Sequence, residues 1–197
     1  KIDGNPKQCY IKPREGAIGC FEEACRNVVC TGAKPIGMLD HLQFGNPTDP
    51  EIFWTFLESL KGLTDFAKDF EIPCVGGKVS LYNETSDGPI KPTPVIGVIG
   101  LIDKKPLKIQ KINSGDSLIM IGDTRDELGG SEYAEYIHKF IGGKCPTVNF
   151  SESKKNMTSV LDIIENELIK SAHDCSKGGL TIAISELCMI NQIGCNV

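Results

Sequence analysis

Apolar residues recur at helical spacing between Glu15 and Thr31, where Ile18, Phe21, Ala24, Cys25, Val28 and Val29 share one face of a 3.6-residue repeat. Gly32 stands where such a helix ends. A longer repeat carries Phe53, Phe56, Leu57, Leu60, Leu63, Ala67 and Phe70, with Asp49 placed as its N-cap and Pro50 at its first position. The run from Pro35 to Leu42 reads as a short buried strand that leads into the polar pair Asp40-His41. A loop at Gln43-Phe44-Gly45-Asn46-Pro47 follows. Ile72 to Val75 predicts another short strand, meeting Gly76-Gly77, and Val79 to Tyr82 stays extended. A polar turn around Ser86-Asp87-Gly88 then precedes a buried strand from Pro94 to Ile102. At the start, the turn Asp3-Gly4-Asn5-Pro6 is followed by a strand-like Gln8-Cys9-Tyr10-Ile11.

The pattern pauses between Asp103 and Gly115, a Lys- and Pro-containing stretch that reads as a domain linker. Beyond it, Asp116–Gly122 predicts a strand, Glu132–Phe140 and Ser153–Lys170 predict helices, Ser171–Ser176 a strand entering a turn, and Gly179–Asn191 a third helix. Strands and helices alternate without a repeat. The expectation is two small α/β domains, 1–105 and 106–197. The chain opens without an initiator methionine, so it reads as a piece of a longer protein.

Composition narrows the class. Of 197 residues 40% are hydrophobic and 24% charged, which supports an ordered core. A formal charge of −5 with no basic run argues against a general nucleic-acid binder. No apolar stretch approaches the roughly 20 residues of a membrane span, and no signal peptide is visible, so a cytoplasmic, membrane-free protein is expected. Nine cysteines form no C-x-x-C pair and only three histidines accompany them, which favours reduced thiols used in packing over a zinc site.

Three clusters of polar or glycine residues adjoin apolar runs: Asp40, the segment Gly76-Gly77-Lys78-Val79-Ser80, and His173 to Gly179. Ends of buried strands are where α/β proteins gather ligand groups. A Gly-Gly pair lets backbone N–H groups approach a phosphate while a neighbouring lysine adds charge; two tight turns with a solvated lysine is the competing reading. Asp40 suits a ribose hydroxyl, an adenine amine or a metal, and equally a cap for the loop that follows. His41, His138 and the dipeptide His173-Asp174 lack a nucleophile to serve. The loop Thr124 to Ser131 offers a glycine pair and a serine cap for an anion, with Arg125 equally suited to pair with Asp126 or Glu127. No G-x-x-x-x-G-K-[ST] occurs, which excludes a P-loop.

Seven blocks in order resemble one family. They are Asp3-Gly4-Asn5-Pro6; Arg26-Asn27 with Gly32-Ala33-Lys34-Pro35; Asp40 with Phe44-Gly45-Asn46-Pro47; Gly76 to Glu84; Pro92-Thr93-Pro94; Thr124 to Tyr133; and Ser171 to Leu180. Together they are similar to the small-form synthetase subunit of phosphoribosylformylglycinamidine synthase. That subunit contains two related halves, each built like aminoimidazole ribonucleotide synthetase, and the blocks match its second half. The resemblance implies an α/β (α+β) chain: most of a synthetase-like N-terminal domain, then a truncated α/β C-terminal domain. The family's catalytic histidine and most of its magnesium-binding carboxylates belong to the other half, so the segment alone is expected to be inactive.

The family is an ATP-dependent C–N ligase of purine biosynthesis. ATP phosphorylates the amide oxygen of formylglycinamide ribonucleotide, and ammonia from a glutaminase subunit displaces the phosphate. A small accessory subunit completes the complex. By resemblance Asp40 and Gly77 fall on nucleotide-binding positions (ATP or ADP), Ser80 on a substrate-binding position, and Lys78 on a Mg²⁺-ligand position that usually holds Asn. An ammonium has no lone pair for a cation. It can instead place its own charge on phosphates; the rival reading is a decayed site with Lys78 in solvent. The resemblance also implies pairing of N-terminal sheets, here with the absent half or with a second copy. Two other readings stay open: a non-catalytic nucleotide-holding half, and a stand-alone relative of aminoimidazole ribonucleotide synthetase.

Overall fold

The computed structural model describes residues 1–103, 106–107 and 112–197. Its elements are β1 (Ile2–Asp3), α1 (Pro6–Ile11), α2 (Pro13–Val29), β2 (Lys34–Gln43), α3 (Pro50–Asp69), β3 (Cys74–Ser80), β4 (Glu84–Thr85), β5 (Gly88–Pro89), β6 (Thr93–Leu101), α4 (Glu132–His138), α5 (Phe150–Glu165) and α6 (Gly179–Asn191). One four-stranded sheet has the order β1-β6-β2-β3; β2 is antiparallel to β6 and parallel to β3. The parallel pair is joined through α3, the crossover that such a pair requires. Among the described residues this leaves β3 at the edge of the sheet. A two-residue-strand hairpin, β4-β5, turns over Ser86-Asp87.

Among the described residues the sheet is covered on one side only. Met38, Leu42, Ile96 and Val98 are buried with Phe21, Ala24, Val28 and Val29 of α2. Alternation along the strands sends Leu39 of β2 and Ile99 and Leu101 of β6 the other way, where they are 40%, 44% and 59% exposed. Ile2 of β1 is 74% exposed. The buried-strand expectation for Pro35–Leu42 therefore holds only for Gly37, Met38 and Leu42.

α3 begins as its sequence dictates: Asp49 Oδ1 accepts from Glu51 N at 2.8 Å, with Pro50 at the first helical position. Its Phe66 is fully buried and meets Phe21 of α2 (ring centroids 4.7 Å), Phe70 (3.9 Å) and Phe150 of α5 (5.5 Å). Through Phe150 and Met157 the C-terminal part joins the same core. Gly32, two residues past the Cys30 cap of α2, adopts φ +84°, a left-handed turn close to the helix end that its position suggested.

Four expectations need correction. Gln8–Ile11 is helical, because Asn5 Oδ1 accepts from Gln8 N (3.2 Å) and Pro6 takes the first helical position. Gly76-Gly77 lies inside one continuous strand, and β2 runs three residues past Asp40. Asp116–Gly122 and Ser171–Ser176 form no strand. Leu118, Ile119 and Met120 are exposed, and no strand among the described residues pairs with them. Of the linker read at Asp103–Gly115, positions 104, 105 and 108–111 lie outside the described residues, as does the expected domain boundary. All nine cysteines are free; Cys9, Cys20, Cys25 and Cys145 are buried as packing residues, whereas Cys74, Cys175 and Cys195 are exposed. Among the described residues no helix is long and apolar enough to cross a membrane.

Candidate functional site

Asp40 and Gly77 face each other across the parallel β2-β3 pair. The Asp40 carboxylate accepts from the Lys78 backbone N–H, and it lies where a side chain on residue 77 would be: a Cβ there would fall on Oδ1, within 2.9 Å of Cγ. Gly77 is thus the vacancy that Asp40 fills. Burial raises the Asp40 carboxyl above its ordinary range, against the lowering effects of the Lys78 N–H and the neighbouring His41. The exposed thiol of Cys74 stands 4.0 Å from Oδ2.

Register separates the remaining residues from this pair. Lys78 sits opposite His41 and Ser80 opposite Gln43, so alternation puts Lys78 and Ser80 on the bare face of the sheet. His41 shares an open depression there with Ile2, Leu39 and Val95, and its Nε2 is buried without a partner among the described residues. Ser80, at the end of β3, is held by Asn83, whose Nδ2 lies 2.9 Å from the Ser80 carbonyl and 3.0 Å from that of Phe44. Asp40 and Gly77 are brought together, then, while Lys78 and Ser80 approach from the other side of an edge strand only one residue thick.

The other candidates resolve into structural roles. His138 is exposed at the end of α4. Ser131 caps α4, its Oγ accepting from Ala134 N at 3.1 Å. Arg125 pairs with Glu152 of α5 in place of Asp126 or Glu127. His173 Nδ1 lies 2.7 Å from the Asp174 carbonyl, and its Nε2 3.2 Å from Glu186.

The sequence reading missed a convergence between β1, α2 and the segment before α6. Asn27 Nδ2 donates to Asp174 Oδ2 (3.0 Å), and Arg26 donates to the Cys175 carbonyl (2.6 Å) while pairing with Glu22 (2.7 Å). The Asp3 and Glu23 carboxyls lie beside them, and Asp3 Oδ2 is buried without a partner among the described residues. Only part of the signal was available: Glu23 and Asn27 stand at i, i+4 and therefore share a helix face, but nothing in the sequence places Asp3 and Asp174 beside it. Burial, and then the Asp3 charge, push the Glu23 carboxyl from 4.5 up to about 7; burial raises Asp3 as well. Among the described residues no three such side chains stand close enough to hold a metal ion.

The linkage sign follows from the direction of that shift. The folded chain keeps a proton on Glu23 that the unfolded chain releases above about pH 4.5, so this stabilisation is full below that pH and is lost as pH rises through about 7. Glu23→Gln is expected to match the parent at pH 5, exceed it at pH 8, and flatten the decline between. Calorimetric melting in EDTA, with divalent cations removed, reads this. A parent that gains stability over this window relative to the variant would contradict the assignment.

Two family models match the chain: "AIR synthase related protein, N-terminal domain" over residues 1–102 and "AIR synthase related protein, C-terminal domain" over 113–197. Phosphoribosylformylglycinamidine synthase subunit PurL of Pyrococcus abyssi is 44% identical over 98% of this chain and 27% of its own length. The PurL subunit of Methanocaldococcus jannaschii is 45% identical over 99% of this chain and 28% of its own. The chain thus spans little more than a quarter of these curated relatives. Among solved structures, Thermotoga maritima PurL complexed with FGAR superposes with a TM-score of 0.69 over 98% of this chain and 31% of that one, at 19% identity, which speaks for the fold.

Proposed function

The chain belongs to the family of AIR synthase related proteins, and from that premise we propose that it is a second-half segment of a phosphoribosylformylglycinamidine synthase subunit. The parent protein is an ATP-dependent C–N ligase that converts formylglycinamide ribonucleotide and ammonia to formylglycinamidine ribonucleotide in purine biosynthesis. Two relatives carrying that subunit name match nearly the whole chain at 44% and 45% identity. The structural observation that carries the reading is the contact between Asp40 and Gly77, the two residues that the family resemblance puts at nucleotide-binding positions. In this reading the domains are 1–105 and 106–197, the protein is cytoplasmic, and its partners are the other half of the same subunit, a glutaminase and a small accessory subunit. The segment by itself does not turn over.

Asp40 receives the nucleotide's hydroxyl or amine donors, since a carboxylate only accepts. Gly77, lacking a side chain, leaves the room in which the Asp40 carboxylate sits against β3 and presents its oxygens to the ligand. Lys78 does not fit the magnesium that the family implies, because its ammonium offers no lone pair. It stands on the opposite side of the strand from Asp40, and a ligand draped over the β3 edge meets both. There Lys78 supplies positive charge to phosphate directly, which favours a nucleotide-holding role for this half.

Titrating the full-length protein with ADP, with Mg²⁺ and in EDTA, tests this. The two affinities are expected to agree within about tenfold, or about 1.4 kcal/mol. Lys78→Asn should open a magnesium dependence, whereas Asp40→Asn and Gly77→Ala should each weaken binding at least about tenfold, the latter because its methyl evicts the Asp40 carboxylate. Strong magnesium dependence of that part of the parent's ADP binding which Asp40→Asn abolishes would remove the role of Lys78. Binding unchanged by both Asp40→Asn and Gly77→Ala would remove the site.

A further inference from the structure

We infer that Asn83 is a positioning residue for Ser80 and that it fixes the Ser80 hydroxyl as an acceptor, so that the ligand group met there is an N–H or O–H donor. The inference rests on the reading of Ser80 as a substrate contact.

The chain makes an unusual turn to bring Asn83 back. β3 ends at Ser80, and Tyr82 adopts φ +61°, a left-handed conformation that an L side chain rarely takes. Such a residue persists only where its surroundings over-determine it. Here they do: Tyr82 N donates to Gly45 O (2.9 Å), Asn83 N to Phe44 O (3.1 Å), and Phe44 N to Ser80 O (3.0 Å). The loops after β2 and β3 are therefore pinned to each other, and the Asn83 side chain returns beside Ser80.

Which end of that amide faces which neighbour is settled by chemistry. The carbonyls of Ser80 (2.9 Å) and Phe44 (3.0 Å) can only accept, so they take both Nδ2 protons. The Ser80 hydroxyl is also 3.2 Å from Nδ2, but both amide protons are already committed to shorter acceptors. Asn83 Oδ1 then lies 3.3 Å from Ser80 Oγ, and a carbonyl oxygen there attracts the hydroxyl proton. Ser80 directs its proton inward and its lone pairs outward. A phosphate oxygen has no proton to give such a group, whereas an amide N–H or a ribose hydroxyl does.

The test uses the full-length synthetase with ammonia as nitrogen donor. Ser80→Ala and Asn83→Ala are each expected to raise the KM for formylglycinamide ribonucleotide about tenfold, with the KM for ATP unchanged. The double variant should be no worse than Ser80→Ala alone, because Asn83 acts through Ser80. A merely structural Asn83 would give additive losses. Substrate analogues that lack one donor at a time, by amide N-methylation or by 2′- or 3′-O-methylation, test the polarity even where Asn83→Ala fails to fold. One of them should lose about tenfold against the parent and nothing against Ser80→Ala. A silent Ser80→Ala overturns the Ser80 reading, and the inference with it. A damaging Ser80→Ala beside a silent or additive Asn83→Ala, or a set of analogues none of which discriminates, overturns the inference alone.

Discussion

Replacing Phe66 by alanine is expected to lower the stability of this chain by about 3–5 kcal/mol, the range for a fully buried aromatic whose cavity closes only in part. Phe66 has no exposed surface and touches three other rings, one of them on α5. The loss therefore falls on two contacts at once: α3 against α2 within the sheet-bearing part, and α5 against both. Because Phe150 also meets Phe70 at 5.8 Å, its ring retains one neighbour in the variant, and the damage is expected to concentrate at the α2-α3 seam. Urea denaturation followed by far-UV circular dichroism reads the total, and the protection of α5 amides against hydrogen exchange reads the share borne by the C-terminal part. A loss below about 1 kcal/mol would mean that the four rings do not form a common core.

That seam was legible in the sequence because it obeys a local rule. Phe21 and Phe70 fall on the helical apolar stripes read from the sequence, and a stripe of this width needs a partner, whereas Phe66 at the centre of the seam was not among the residues read there. Asp49-Pro50 and Gly32 set helix ends by local chemistry, which a sequence displays directly. The failures share a different cause. Gln8–Ile11 has the composition of a strand, and the cap that makes it a helix lies upstream at Asn5. Asp116–Gly122 also has the composition of a strand, yet a strand is a relation between two segments, and no partner stands beside it among the described residues. The candidate site divides in the same way. Asp40 and Gly77 were nameable from family blocks, but that one fills the space left by the other depends on the parallel register. The cluster of Asp3, Glu23, Asn27 and Asp174 went unread because its members lie as much as 171 positions apart (174 − 3). Asn83 went unread because its meaning depends on the left-handed turn at Tyr82.

The bare face of the sheet carries the other large expectation. Leu39, Ile99 and Leu101 together with Ile2 are between 40% and 74% exposed on a sheet whose other face is packed against α2. A monomer rarely leaves such a patch open. The family resemblance names its occupant as an equivalent sheet from the other half, and a second copy when that half is absent. A two-fold arrangement sets each Leu39 into the same interface twice, once from each copy. Burying one leucine contributes about 1.5–3 kcal/mol. Exchanging it for glutamate removes this contribution from both copies and strands two like charges in an apolar layer. Light scattering coupled to size-exclusion chromatography is therefore expected to show the chain as a dimer and Leu39→Glu as a monomer, with a rise in Kd of at least about a hundredfold, or about 2.7 kcal/mol. Helical content should stay constant by circular dichroism, since Leu39 faces away from α2. His41 makes the geometry more demanding than burial alone, because its ring shares that face and its Nε2 lacks a partner within the described residues. The opposing sheet must supply an acceptor or a water there, or the pairing forfeits part of what the leucines contribute. Replacing His41 by leucine separates these cases: tighter association would mean that the imidazole is unsatisfied in the pair, and weaker association that the partner hydrogen-bonds it. A parent chain that remains monomeric at every concentration would remove the pairing of copies altogether and leave the face to the other half of the subunit.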